Sequence, residues 1–92
     1  MMLCRHYCVS GKVQGVFYRA SAHDRAVQLG ITGWVKNMLD GRVEAVACGS
    51  EQQLAEFENW LRQGPPLAVV DKLEINYQVD NPGSAGFEIR YR

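Results

Sequence analysis

Apolar and polar residues alternate along several short segments of the 92-residue chain. A period of two predicts β-strands with one buried face. In the first segment, Leu3, Tyr7 and Val9 share the apolar face, on which Arg5 is a charged exception. The predicted strands are Leu3–Ser10, Thr32–Asn37, Arg42–Cys48, Asp71–Tyr77 and a short last strand with Phe87, Ile89 and Tyr91 on one face.

Two other segments carry the spacing of three and four residues that is typical of an amphipathic helix. In the first, Tyr18, Ala22, Ala26 and Leu29 form the apolar stripe, and Gly30 stops the helix. The second is predicted to open with a capping box and to stop at Gly64. Its residues are Ser50 and Gln53 in the box and Leu54, Phe57 and Leu61 on the inward face.

The order of these elements predicts an α+β fold, because two helices alternate with strands that each have one apolar face. We expect a ferredoxin-like βαββαβ sandwich in which an antiparallel sheet carries both helices on one face. In this topology the first and third strands are antiparallel neighbours at the sheet centre, and the other sheet face is open to water. A chain of this length forms one core, so residues 1–92 are expected to be a single domain.

The charge balance argues against a nucleic-acid or membrane partner. Ten basic residues offset ten acidic ones, so the chain has no overall positive field. A nucleic-acid-binding module would also need basic and aromatic residues on the open sheet face, where the sequence places Cys4, His6, Cys8 and Glu44. The N-terminal apolar run contains Arg5 and His6 and has neither the composition of a signal peptide nor the length of a membrane span. The expected location is the cytoplasm.

The cysteines do not follow the spacing of a metal site. Cys4, Cys8 and Cys48 include no Cys-x-x-Cys pair, and His6 and His23 do not complete a zinc pattern with them. Free thiols are the default in a reducing compartment. Antiparallel neighbours bring the start of the first strand beside the end of the third, so a disulfide between Cys4 and Cys48 is the alternative when the protein is oxidised.

The segment Gly11–Arg19 joins the first strand to the first helix and has the chemistry of an anion-binding loop. Gly11 and Gly15 allow a tight turn whose N–H groups point inward. The helix adds the positive end of its dipole, and Arg19 adds a planar group of donors that suits phosphate. The segment lacks both the Walker pattern and the dinucleotide-binding pattern. On loop chemistry alone, an ordinary strand-to-helix turn is an equal alternative.

Three motifs resemble those of the acylphosphatase family. Gly11–Arg19 reads Gly-Lys-Val-Gln-Gly-Val-Phe-Tyr-Arg and is similar to the family's Gly-x-Val-Gln-Gly-Val-x-Phe-Arg. Gly33–Asn37, followed by Gly41–Val43, resembles the second motif, and Phe87–Tyr91 resembles the closing Phe-x-Ile-Arg-Tyr. Together the motifs span nearly the whole chain. Tyr18 stands where the family usually has Phe, so its hydroxyl needs a hydrogen-bond partner.

The resemblance implies an enzyme that hydrolyses acyl phosphates to a carboxylate and inorganic phosphate. It also implies that Arg19 and the loop N–H groups hold the phosphoryl oxygens and that Asn37 positions the attacking water. The implied phosphate-binding residues are Gln14, Gly15, Val16, Phe17, Tyr18 and Arg19. The conjugate acid of the leaving carboxylate has a pKa of about 4, so no general acid is required. No metal ligands lie near the motifs, and we expect no metal ion or other cofactor. The expected partners are a small acyl phosphate and inorganic phosphate, which is both product and competitive inhibitor, and the expected state is a monomer.

A non-catalytic domain that binds acyl or carbamoyl phosphate would use the same loop. Both Arg19 and Asn37 are present, and the chain begins and ends with the fold, which favours a free-standing enzyme. Taken by itself, Asn37 is also typical of a residue that makes a local turn hydrogen bond before a hairpin. The motif upstream favours the catalytic role.

Overall fold

The computed structural model describes residues 2–91, which form one sheet and two helices. The strands are β1 (Leu3–Lys12), β2 (Thr32–Asn37), β3 (Val43–Gly49), β4 (Val69–Asn76) and β5 (Phe87–Arg90). The helices are α1 (Tyr18–Leu29) and α2 (Glu51–Gln63). The predicted order of elements is confirmed.

The strands lie in the order β4-β1-β3-β2-β5. The predicted ferredoxin-like α+β fold is confirmed, with β1 antiparallel to β3 inside the sheet. The pairs β1–β3, β1–β4 and β2–β3 are antiparallel, as expected, whereas β5 pairs with β2 in parallel and makes the sheet mixed. Residues 77–86 carry the chain from β4 at one edge to the opposite edge, where β5 joins the sheet in the direction of β2.

The core lies between the sheet and the two helices. Leu54, Phe57 and Leu61 of α2 are buried in it, as predicted. The Phe57 ring packs edge to face with Tyr7 at 6.0 Å and with Phe87 at 5.9 Å between ring centroids. These aromatic contacts tie α2 to both β1 and β5.

Strands β2 and β3 approach each other closely at Gly33. Its φ is 138°, and a Cβ at this position would clash with the carbonyl oxygen of Val46. Glycine alone tolerates both the backbone conformation and the contact. This close approach fixes the position of β2, which ends at Asn37.

A buried carboxylate explains the charged exception on the apolar face of β1. Glu58 of α2 is only 6% exposed, and its Oε2 accepts hydrogen bonds from Arg5 Nη1 and from the Tyr7 hydroxyl, both at 2.7 Å. Burial, followed by this hydrogen bond, raises the pKa of Tyr7. The two donors stabilise a charge that would otherwise be costly to bury.

The sheet face opposite the helices carries more aromatic and basic residues than the sequence indicated. Lys36 Nζ lies 5.5 Å and Arg90 Cζ 5.1 Å from the ring centroid of Trp34. Each cation is paired with a carboxylate, Lys36 with Glu44 at 3.5 Å and Arg90 with Glu88 at 3.2 Å. The cluster is therefore balanced in charge.

The same face carries the two cysteines that were predicted to meet. Cys4 lies opposite Cys48 in the β1–β3 register with Cα atoms 4.1 Å apart, and the two sulfur atoms are bonded. Oxidation in solution stays a prediction. The expectation that this face is open to water is wrong at its centre, where Cys8, Val46 and Cys48 are buried. Trp34 lies opposite Val46 in the β2–β3 register, beside this centre.

Candidate functional site

Two residues with a left-handed backbone shape the loop between β1 and α1. Gly15 has a φ of 73° and Phe17 a φ of 64°. For a bulky residue such as Phe17, this conformation costs on the order of 1–3 kcal/mol. The Phe17 side chain is 75% exposed, so packing of the ring does not compensate for the strain. Strain of this kind is typical of a functional loop.

The N-terminus of α1 lacks a side-chain cap. Phe17 occupies the N-cap position, and no side chain accepts a hydrogen bond there. In α2, by contrast, Ser50 Oγ accepts from the Gln53 N–H at 3.1 Å, and Gln53 Oε1 accepts from the Ser50 N–H at 2.8 Å. The first N–H groups of a helix have no partner within the helix. In α1 they are available, together with the positive end of the dipole, to bind an anion.

Arg19 lies in the first turn of α1, beside these N–H groups. Its Cζ is 4.5 Å from the ring centroid of Tyr91, the residue after β5. Stacking on the ring orients the guanidinium and leaves its N–H donors free for a ligand. Among residues 2–91, Arg19 forms no salt bridge. From the sequence, Tyr91 was predicted only to lie on one face of the last strand. Its contact with Arg19 was not predicted, because the two residues are far apart along the chain.

Asn37 brings an unpaired polar atom to the same place. A cavity of about 300 Å³ is lined by both Arg19 and Asn37. Asn37 Oδ1 is buried and has no hydrogen-bond partner within residues 2–91. A buried amide oxygen without a partner costs roughly 1–3 kcal/mol, which a bound water or ligand would offset. The other lining residues are Val13, Gly15, Phe17, Tyr18, Ala20, Ile89 and Tyr91.

Only part of the predicted phosphate-binding loop lines this cavity. Gly15, Phe17 and Tyr18 line it, whereas Gln14 and Val16 do not. Val16 is buried in the core. Phosphate binding was predicted for the backbone N–H groups of the loop. The positions of the Gln14 and Val16 side chains do not contradict that prediction.

The Gln14 side chain joins the loop to the β2–β3 hairpin. Its Nε2 donates to the carbonyl oxygens of Met38 at 2.7 Å and Arg42 at 2.9 Å. The turn of the hairpin begins directly after Asn37, so this link sets the position of Asn37 relative to the phosphate loop. The sequence did not indicate this role, because the two carbonyls become neighbours of Gln14 only in the folded chain.

Tyr18 is held under the loop by its hydroxyl group. The hydroxyl donates to the Leu61 carbonyl oxygen at 2.6 Å, which supplies the partner that a tyrosine needs at this position. Its ring packs on Trp60 with centroids 5.3 Å apart. Burial raises the pKa of Tyr18 above its usual value of 10.0.

The tip of the hairpin is closed by Asp40. Its Oδ2 accepts from Arg42 Nε at 2.8 Å, and its Oδ1 accepts from the Arg42 N–H at 3.1 Å. These hydrogen bonds lower the pKa of Asp40. Arg42 Nη1 also lies 3.1 Å from Cys8 Sγ, and burial raises the pKa of the Cys8 thiol. The hairpin is therefore held in place from both sides.

A second cavity, of about 600 Å³, adjoins the first. Asn37 and Tyr91 line both cavities. The other residues that line the second cavity are Lys36, Met38, Leu39, Asp40 and Glu44. The site thus has a smaller part beside Arg19 and a larger part over the hairpin tip.

Within residues 2–91, no three side chains of His, Cys, Asp or Glu come together as a metal site. The two histidines have other partners, because His6 Nε2 lies 2.7 Å from Glu44 Oε2 and His23 Nδ1 lies 3.2 Å from Asp24 Oδ1. Neither helix in this part of the chain is long and apolar enough to cross a membrane.

The chain is similar to known proteins over nearly its whole length. A family model described as Acylphosphatase matches residues 5–89. An acylphosphatase of Rubrobacter xylanophilus is 48% identical over 82 residues, which cover 89% of this chain and 74% of that protein. One of Marinobacter nauticus is 56% identical over 68 residues, which cover 74% of each chain. The crystal structure of acylphosphatase from Bacillus subtilis matches with a TM-score of 0.92 at 34% identity, covering 99% of this chain and 100% of that one.

Proposed function

The chain belongs to the acylphosphatase family, and on that premise we propose that Arg19 and the loop N–H groups bind the phosphoryl group while Asn37 positions the attacking water. The enzyme acts on acyl phosphates and releases a carboxylate and inorganic phosphate. The observation that supports these roles is one cavity. It is lined by Arg19 and by Asn37, and it lies at the uncapped N-terminus of α1.

Binding of the phosphoryl group follows from the donors around the cavity. In phosphoryl transfer, negative charge spreads over three equatorial oxygens. The planar guanidinium of Arg19 donates to two oxygens at once, and N–H groups of the loop and of the first turn of α1 serve the third. These donors are fixed before the substrate arrives, so they stabilise the transition state without reorganisation.

Positioning of the water follows from the chemistry of the Asn37 amide. Oδ1 accepts a hydrogen bond from the water, and the amide NH₂ can donate. The amide carries no charge, so it does not repel the phosphoryl group. The carboxylate leaves without being protonated, because its conjugate acid has a pKa of about 4. No side chain therefore has to act as a general acid.

A single catalytic domain over residues 1–92 that works as a monomer is part of the proposal. One core cluster unites the sheet with both helices, which supports the single domain. Inorganic phosphate presents the same oxygens as the phosphoryl group of the substrate, so it should compete with the substrate for the cavity beside Arg19.

The test compares Arg19→Gln with Asn37→Ala in buffer that contains EDTA. Steady-state kinetics with acetyl phosphate gives kcat and KM, and inhibition by inorganic phosphate gives its Ki. Arg19→Gln should lower kcat/KM about 1,000-fold and abolish inhibition by phosphate. Asn37→Ala should lower kcat about 100-fold or more and leave the Ki within a few-fold of wild type, because it removes an interaction made mainly in the transition state. Arg25→Gln on the same helix and the exposed Asn59→Ala are the matched controls.

Near-normal turnover in Asn37→Ala would reduce Asn37 to a turn residue. Retained phosphate inhibition in Arg19→Gln would show that the anion binds elsewhere. Loss of wild-type activity in EDTA would contradict the proposal that the protein groups suffice.

A further inference from the structure

The second cavity, between the hairpin tip and Tyr91, has no part in phosphate binding. We propose that it receives the acyl part of the substrate and favours apolar acyl groups, alkyl or aryl, with Leu39 as the residue that determines this preference. The inference rests on the proposed function, because it requires the phosphoryl group to lie beside Arg19.

The two cavities are placed to hold the two halves of one molecule. They adjoin at Asn37 and Tyr91, which line both. In an acyl phosphate a single bridging oxygen joins the phosphorus to the acyl carbon. With the phosphoryl group beside Arg19 and the bridging oxygen directed toward the junction, the acyl group enters the cavity of about 600 Å³. That volume is far larger than an acetyl group requires.

Apolar atoms make up most of the surface that faces the second cavity, although three of its residues are charged. Leu39 lies at the hairpin tip with its side chain fully exposed, although turn positions favour Gly, Asn, Asp and Ser. Met38 beside it is held by Cys8, with Sγ 3.9 Å from Sδ. The Tyr91 side chain, 74% exposed, forms the other wall. An acyl group between Leu39 and Tyr91 would remove apolar surface of both from water.

The charged residues of this cavity are already paired. Lys36 Nζ lies 3.5 Å from Glu44 Oε1, and Arg42 Nη2 lies 2.7 Å from Asp40 Oδ2. An acyl group with a second anionic end would meet two carboxylates, and the cations near them already have partners. An uncharged hydrocarbon or aromatic group needs no such partner. The charges therefore favour apolar acyl groups over anionic ones.

The hairpin that carries this wall is tied to the phosphate loop. Gln14 of the loop donates to the carbonyl oxygens on both sides of the hairpin tip, those of Met38 and Arg42. The distance between the phosphate part and the acyl part is thereby fixed. A fixed distance allows contacts to the acyl group to act on turnover as well as on binding.

The first test is Leu39→Ser, assayed with benzoyl phosphate and acetyl phosphate. The readout is the ratio of the two kcat/KM values. This ratio should fall about tenfold, the low end of the effect of a lost apolar contact in a pocket, since the cavity is open on one side. The matched control is Val27→Ser, which removes an exposed apolar side chain from the last third of α1 and should leave the ratio unchanged.

The second test, Leu39→Lys, adds a cation without a partner to the same wall. The ratio of kcat/KM for succinyl phosphate, which has an anionic end, to that for acetyl phosphate should rise several-fold. The ratio for benzoyl phosphate should fall in the same variant. A simple disruption of the hairpin would lower both ratios or neither, so opposite changes identify a direct contact with the acyl group.

Inhibition by inorganic phosphate separates this inference from the proposed function. An unchanged benzoyl-to-acetyl ratio in Leu39→Ser, with phosphate inhibition as in wild type, overturns the acyl site and leaves the roles of Arg19 and Asn37 intact. An equal fall in Val27→Ser overturns it as well. Failure of the proposed function would show instead in the Arg19→Gln and Asn37→Ala variants.

Discussion

Removal of the Gln14 side chain should disturb the geometry of the site without removing a group that contacts the substrate. Its Nε2 links the phosphate loop to the hairpin through the carbonyl oxygens of Met38 and Arg42. Asn37 directly precedes Met38, so these hydrogen bonds also set the position of Asn37 relative to Arg19. In Gln14→Ala this connection is lost.

The expected magnitude follows from what the two carbonyls keep. The Met38 carbonyl still accepts from the Gly41 N–H at 3.2 Å, and the Arg42 carbonyl still accepts from the Met38 N–H at 2.8 Å. Neither is left without a partner, so each lost hydrogen bond costs only its net value of roughly 1 kcal/mol. The free energy of unfolding should fall by about 2 kcal/mol, which lowers Tm by about 10 °C in a domain of this size. A displacement of a catalytic group by about 1 Å lowers the rate by up to about 100-fold, so kcat should fall about 10- to 100-fold.

Gln53→Ala is the matched control for this variant. Gln53 Nε2 donates to the Leu29 carbonyl oxygen at 2.7 Å, and its Oε1 accepts from the Ser50 N–H at 2.8 Å. The two glutamines therefore each make two hydrogen bonds to the backbone, but Gln53 lies away from the cavity. Urea unfolding should show similar losses of stability in both variants. Kinetics with acetyl phosphate should show a loss of kcat in Gln14→Ala alone.

Wild-type kcat in Gln14→Ala, measured where the variant is fully folded, would refute the reasoning. Gln14 would then stabilise the fold without positioning Asn37. An equal loss of kcat in Gln53→Ala would refute it too, because the effect would then follow stability and not geometry.

Two further predictions concern pH and oxidation. Burial raises the pKa values of Tyr7 and Tyr18 above their usual 10.0, so the folded state keeps both protons where the unfolded state loses them. The contribution of the two tyrosines to the free energy of unfolding should be complete below about pH 10. Above that pH it should fall by about 1.4 kcal/mol per pH unit for each tyrosine, so urea unfolding of Tyr18→Phe should show about half the combined slope of the wild type. We also propose that air oxidation links Cys4 to Cys48, because the β1–β3 register places them opposite each other. Mass mapping should find Cys8 free, since burial raises its pKa and keeps it a thiol; a bridge that includes Cys8, or three free thiols, would contradict this pairing.

The parts of the structure that could be predicted are those with local signals. The α1 stripe from Tyr18, its end at Gly30 and the capping box of Ser50 and Gln53 each depend on residues a few positions apart, and each is found where the sequence placed it. The meeting of Cys4 with Cys48 needed one further step, the antiparallel pairing of the first and third strands, which the order of elements implies.

The parts that could not be predicted depend on contacts between distant segments. A glutamate on a helix is usually solvated, so nothing in the sequence marked Glu58 as the buried partner of Arg5 and Tyr7. The stacking of Arg19 on Tyr91 requires β5 to lie beside β2, and that position depends on a loop whose path has no local signature. In the candidate site the type of residue was predictable, but the orientation of its side chain was not.

The uncapped N-terminus of α1 makes the ligand of this protein a part of its folding equilibrium. A helix that lacks its cap forgoes about 1 kcal/mol, and α2 shows that the chain can supply a cap elsewhere. An anion accepts hydrogen bonds from the free N–H groups of α1 only in the folded state. At a free anion concentration of 100 times its Kd, binding adds about 2.7 kcal/mol to the free energy of unfolding. On the proposed roles, inorganic phosphate would thus protect from heat the same enzyme that it inhibits. The protein would be thermally most robust where its product accumulates and most fragile where it turns over fastest.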